Sequence, residues 1–175
     1  MIEDVTAKNN FNFGMAFRGP GMKVKDSVSS YNGQSGIKMA GEDQNNAATA
    51  VQFQGMVSCH HNKVHGIQVD VGRGGPPNKF AEVNVAGVLN SYLNKEHGIF
   101  IKTGVNMKNQ NFVNGFTVEE SGSFNACNNG RRDITNRGKV KFVDMGMGGY
   151  TCNVTATKGA GEGLPVCEDC PACDN

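Results

Sequence analysis

The sequence predicts an all-β solenoid of about five to six coils, and three observations carry that prediction. An eight-residue frame recurs, most clearly as Asn62-Lys63-Val64-His65-Gly66-Ile67-Gln68-Val69 and Asn94-Lys95-Glu96-His97-Gly98-Ile99-Phe100-Ile101. Looser copies begin at Asn10, Asn32 and Asn111, and a repeat on this scale signals stacked supersecondary units. The sixth and eighth frame positions are apolar with a free position between them, which is the period of a half-buried strand. Glycine supplies 24 of 175 residues, and its abundance beside many Asn residues opposes an α-helical repeat.

Each part of the frame has a physical reason. Gly in the fifth position is expected to supply a backbone angle that turns the chain into a strand. Asn in the first position suits the preceding corner, because it tolerates left-handed geometry. Stacked coils bring like positions about 4.8 Å apart, so Asn10, Asn32, Asn62, Asn94 and Asn111 are expected to form a hydrogen-bonded ladder. The inward pairs are Met15/Phe17, Ile37/Met39, Ile67/Val69, Ile99/Ile101 and Phe116/Val118. Ala16, Lys38, Gln68, Phe100 and Thr117 then point outward.

In chain order, Val5–Lys8 leads to the Asn10 corner, and Gly19-Pro20-Gly21 is a turn before the alternating stretch Lys23–Val28. Ala40–Ala50 and Val71–Lys79 read as loops thrown out from the stack. Val51–His61 leads into the third copy, Val83–Val88 into the fourth, and Gly104–Glu120 holds the fifth. Asn spacings of 22, 30, 32 and 17 residues make the last interval unusually short. Asn125–Asp133 reads as a turn-rich excursion, and Gly149–Cys152 as a degenerate sixth strand start. The solenoid domain is placed at 1–157, followed by a Gly- and Cys-rich extension at 158–175.

Composition excludes several classes. A net charge of +1 without a long basic run argues against nucleic acid. No apolar run approaches the ~18 residues that a membrane span needs. The start, Met1-Ile2-Glu3-Asp4-Val5, lacks the charged and apolar regions of a signal peptide. The first frame copy nevertheless leaves no room for a solenoid cap, so a segment of a longer chain is expected. The six cysteines include Cys167, Cys170 and Cys173, whose run lacks a fourth ligand at close spacing. Disulfides in a secreted protein are the favoured reading, helped by the sequon Asn153-Val154-Thr155, with metal binding and free thiols as alternatives. Cys59 and Cys127 are expected to be small buried residues.

The two His-Gly-Ile corners, His65-Gly66-Ile67-Gln68-Val69 and His97-Gly98-Ile99-Phe100-Ile101, resemble the right-handed parallel β-helix repeats of the pectin-lyase-like superfamily. The resemblance covers Ile2 to about Thr157 and implies a right-handed parallel β-helix solenoid. In the polygalacturonase-like branch, strand-start positions supply catalytic Asp residues and a His. Here the fourth position holds Phe13, Ser35, His65, His97 and Asn114, with no Asp, whereas glycosidic hydrolysis normally uses two carboxyl groups.

A lyase or epimerase needs a base, an acid and a charge that neutralises a uronate. Its candidate residues are His65, His97, Asp70 and Lys102, with Tyr92, Glu96, Phe100 and Arg73 as binding candidates. The leading expectation is a structural or interaction module of an extracellular or cell-surface protein, with polysaccharide or other surface proteins as partners. The lyase or epimerase is the alternative. No cofactor and no metal are expected, because His60, His61 and His65 lack further ligands at recognisable spacing, and adjacent strand residues face opposite ways.

Overall fold

The computed structural model describes residues 1–40, 49–70, 82–102, 116–136, 142–144 and 150–152. Among them there is no helix. The strands are β1 (Ile2–Glu3), β2 (Thr6–Lys8), β3 (Met15–Phe17), β4 (Met22–Ser30), β5 (Ile37–Met39), β6 (Ala50–His60), β7 (Ile67–Asp70) and β8 (Glu82–Val85). There follow β9 (Val88–Tyr92), β10 (His97–Lys102), β11 (Phe116–Val118), β12 (Ser123–Cys127), β13 (Arg132–Asn136), β14 (Phe142–Asp144) and β15 (Tyr150–Cys152). Every pairing among them is parallel.

The strands form two sheets. One runs β13-β10-β7-β5-β3, and the other holds the remaining ten strands. β4 and β6 each bend midway, so β6 pairs with β8 through its first half and with β9 through its second. The bend falls at Asp26 and Gly55, whose φ values are 44° and 56°. A side chain on Gly55 would overlap the Asp26 carboxylate, which instead accepts the Met56 N–H at 2.9 Å. Each repeat thus contributes one strand to the smaller sheet and two strand segments to the larger one.

The inward faces are apolar because alternation puts every second side chain on the same side. Met15, Phe17, Ile37, Met39, Ile67, Val69, Ile99 and Ile101 are buried along the smaller sheet. Val24, Phe53, Val85, Leu89, Phe116 and Phe124 are buried from the larger one. Phe116 and Val118 do not stack on Ile99 and Ile101, as the frame predicts. They pair with Val83 and Val85 in the larger sheet, while β13 continues the smaller one with Ile134 beside Ile99. An apolar–x–apolar triplet fits any of these strands, and pairing, not composition, selects the neighbour.

The corner before each smaller-sheet strand has a constant geometry. Asn9, Tyr31, His61, Leu93 and Asn128 have φ between 52° and 59°. Each directly precedes a ladder Asn, so the left-handed residue is the one before the Asn, not the Asn itself. That turn aims the following side chain inward, and Asn32, Asn62 and Asn94 are buried. Asn10 Nδ2 donates to Asn32 Oδ1 at 2.9 Å, and the same bond repeats from Asn32 to Asn62, Asn62 to Asn94 and Asn94 to Asn129. The fifth rung is therefore Asn129, inside the stretch expected to be an excursion; Asn111 lies outside the described residues. Asp133 Oδ1 then accepts the Asn129 N–H and Nδ2 at 3.2 and 2.7 Å, taking the place of a next rung.

The fifth-position glycines answer a different need from the one expected. Gly14, Gly36, Gly66 and Gly98 are absent from the positive-φ residues. They are glycines because the next repeat passes too close for a side chain. A Cβ on Gly66 would overlap Ser91 Oγ and sit 2.7 Å from Asn94 Nδ2 and 2.8 Å from Gly98 O. Cys59 is buried and free, as expected. Cys127 is buried but disulfide-bonded, not a simple apolar filler. The tail at 158–175, the sequon and the two loops lie outside the described residues, apart from Ala40, Thr49 and Ala50 at the edges of the first loop.

Candidate functional site

The fourth frame position sits at the mouth of each smaller-sheet strand, and parallel stacking places the next repeat about 4.8 Å away. A side chain there leans along the stack onto the outward seventh position of the following repeat. Lys38 Nζ lies 4.7 Å from the Phe13 ring centre, and Ser35 Oγ donates to Gln68 Oε1 at 3.2 Å. His65 stacks on Phe100 at 4.5 Å between ring centres, and Thr135 Oγ1 lies 3.2 Å from His97 Nδ1. The four contacts follow one rule of position.

His65 and His97 also stack on each other, with ring centres 5.2 Å apart. Both are buried, at 6 % and 7 % exposure. Among the described residues, His65 Nδ1 has no hydrogen-bond partner. Glu96 Oε2 stands 3.8 Å from it, and the other Glu96 oxygen faces Arg131 Nη2 at 3.8 Å. Burial, helped by the neighbouring His97 and Arg131, pushes the His65 pKa down to about 4. His65 is therefore neutral at neutral pH, and its approach to Glu96 is then not an ion pair. Burial also lowers the His97 pKa. One ligand atom each from His65, Glu96 and His97 lies within 4.8 Å of the others.

Asp70 and Lys102 are elsewhere. They are register partners at the far ends of β7 and β10, five residues from His97 along the strand, or about 16 Å. Asp70 accepts from Gln68 Nε2 at 3.0 Å and pairs with Lys38 at 3.5 Å. The four proposed catalytic residues thus form two groups, His65 with His97 and Asp70 with Lys102. Of the binding candidates, Glu96 and Phe100 join the histidines, and Tyr92 sits in the larger sheet. Arg73 lies outside the described residues.

Tyr92 belongs to a second aromatic group at the corner. Its ring stacks on His60 at 5.0 Å, and Tyr31 stacks on His61 at 4.8 Å. His60 Nδ1 and His61 Nδ1 are 2.8 Å apart. Adjacent residues were expected to face opposite ways, but the left-handed turn at His61 swings its ring back beside His60. Burial, then His61 and Lys8, lowers the His60 pKa.

Beside this group lies an open hollow of about 660 Å³, lined chiefly by Asn10, Phe11, Asn12, Tyr31, Gln34 and Lys63. Phe11 is 92 % exposed, and Tyr31 is also exposed. Sequence reasoning missed this hollow. The available signal was Phe11, an aromatic between two amides at a corner where the frame demands nothing apolar. Comparison with known proteins returns no relative: no family model, curated protein or solved structure matches the chain.

Proposed function

We propose that this chain is a right-handed parallel β-helix of an extracellular or cell-surface protein, and that its outer corner binds glycans without transforming them. Three strand segments per repeat, in constant order and always parallel to their neighbours 22 to 35 residues away, support the winding. Parallel crossovers are right-handed in nearly all folds, in line with the resemblance to pectin-lyase-like repeats. The disulfide at Cys127 fits an oxidising compartment.

The observation that carries the glycan reading is the corner hollow. A sugar offers an apolar C–H face and a rim of hydroxyls. Phe11 supplies an exposed ring, and Tyr31 a half-exposed one that already stacks on His61 and has Lys8 Nζ 5.0 Å from its centre. Asn10, Asn12 and Gln34 supply amides, of which Gln34 Nε2 donates to Asn12 Oδ1 at 3.3 Å. Lys63 adds a cation suited to a uronate carboxylate. An open site of this kind fits affinities from about millimolar to tens of micromolar, since little ligand surface is enclosed. The lyase alternative has less support, because its acid–base and charge-neutralising candidates lie at opposite ends of a strand.

The test is a titration of the isotope-labelled chain with neutral and uronate-containing oligosaccharides, followed by nuclear magnetic resonance. Shifts gathered at Phe11, Tyr31 and Gln34, weakened at least tenfold by Phe11→Ala, with the sugar recovered intact, support the proposal. No shift with any sugar refutes it. A cleaved or epimerised product that disappears in His97→Ala transfers the function to the enzyme reading.

A further inference from the structure

His65 poses a problem that the glycan reading does not solve. Buried polar atoms are nearly always hydrogen-bonded, yet its Nδ1 is buried without a partner among the described residues. The atom faces the Glu96 carboxylate and lies in the same cluster as a nitrogen-bearing ring of His97. We propose that His65, Glu96 and His97 form a binding site for a divalent transition-metal ion of the Zn²⁺ type, joining the third and fourth repeats.

Donor chemistry sets the class of ion. Two imidazoles and one carboxylate are a common zinc donor set, with water completing the tetrahedron. Calcium and magnesium prefer all-oxygen surroundings. Metal–ligand bonds of about 2.1 Å place tetrahedral neighbours about 3.4 Å apart. The His65 Nδ1–Glu96 Oε2 distance of 3.8 Å is already near that value, and the whole set lies within 4.8 Å. Closing the widest gap, from 4.8 to about 3.4 Å, requires movement of about 1.4 Å. The Glu96 side chain, 32 % exposed, has room to rotate.

The surroundings are arranged to suit this. Thr135 Oγ1 at 3.2 Å from His97 Nδ1 fixes that ring, as outer-shell groups do around metal ligands. Phe100 packs against both imidazoles and limits their tilt. Arg131 engages Oε1 of Glu96 and leaves Oε2 towards His65. The frame explains why the site is local. Only the third and fourth copies carry His in position four, and only the fourth carries Glu in position three.

The experiment is calorimetric titration of the full chain, stripped with a chelator, with Zn²⁺ at neutral pH. The expected result is one equivalent of Zn²⁺ in the parent chain that His65→Ala loses, with no matching heat from Ca²⁺. Glu96→Gln, a change at a partly exposed side chain, weakens that equivalent at least tenfold while circular dichroism stays unchanged. Substituting Co²⁺ for Zn²⁺ gives the visible bands of a tetrahedral nitrogen–oxygen site, without the thiolate charge-transfer bands that cysteine ligands would produce. Equal Zn²⁺ stoichiometry in the parent chain, His65→Ala and Glu96→Gln overturns the proposal. So does loss of the equivalent in the double variant His60→Ala/His61→Ala instead.

Discussion

Asn62→Ala is the sharpest test of what holds the stack together. The Asn62 side chain donates from Nδ2 to Ser29 O at 3.1 Å and to Asn94 Oδ1 at 2.9 Å. Its Oδ1 accepts from the Asn32 N–H at 3.1 Å and from Asn32 Nδ2 at 2.9 Å. Alanine removes all four bonds at a position only 1 % exposed, where water does not replace them. At about 1 kcal/mol per bond, the loss is about 4 kcal/mol, within the range of broken buried networks. Asn10 provides the internal control. It is exposed and donates its Nδ2 to Asn32 Oδ1, so Asn10→Ala forfeits about 1 kcal/mol. Urea unfolding with a common slope reads both values as midpoint shifts. A cost for Asn62→Ala no larger than that of Asn10→Ala would show that the ladder merely decorates a stack held by its apolar columns.

Three further outcomes are expected. Gly66→Ala destabilises by about 3 kcal/mol or more despite an ordinary φ, because its new methyl group meets Ser91 Oγ and backbone; urea unfolding measures it, and a neutral result refutes the close-approach explanation. Leu93→Asn stabilises by about 1 kcal/mol in thermal unfolding, because a branched aliphatic residue is strained at φ 52° and Asn is not. Acid weakens the chelator-treated fold through His65. Its folded pKa of about 4 lies below the ordinary 6.5, so the unfolded chain binds more protons between those values and stability falls as pH drops through that window. A shift of that size is worth about 3 kcal/mol in full, reduced by solvent near the ring to on the order of 2 kcal/mol. Urea midpoints measured between pH 7 and 4 should lose that dependence in His65→Phe.

The inward pairs of the first four frame copies were legible in the sequence because a period of two ties each apolar residue to one face. The fifth was not. Asn129 begins a corner in which Asp133 stands where earlier copies have Gly, so the frame test failed at its most recognisable position. Phe116-Thr117-Val118, preceded by a chance Asn-x-x-Asn-Gly, satisfied the same test from another strand column. The role of glycine was misread for a related reason. A close approach between repeats 22 to 35 residues apart leaves no local trace, whereas a left-handed turn is a local property that sequence reasoning reaches first. Tyr31 and Leu93 show the converse: local preference opposes a positive φ at both, and the tertiary corner imposes it.

The corner divides its positions into those that geometry dictates and those that it leaves open. The ladder Asn at each buried rung is dictated by four or five side-chain hydrogen bonds, the Gly by the approach of the next repeat, and the apolar pair by the core. Two positions escape. The left-handed residue before the Asn projects outward, so its side chain is unconstrained, and Tyr31 and His61 occupy it. The fourth position leans onto the next repeat and needs only something that packs, which Phe13, Ser35, His65 and His97 all satisfy. The candidate sites draw on these open columns, with Tyr31 beside the hollow and His65 and His97 in the metal cluster. A ladder fixed by buried bonds keeps consecutive members of each open column about one strand spacing apart. Neighbouring substitutions in one column can therefore build a multi-residue site without altering the fold, and chemistry is best sought there in any chain with this corner.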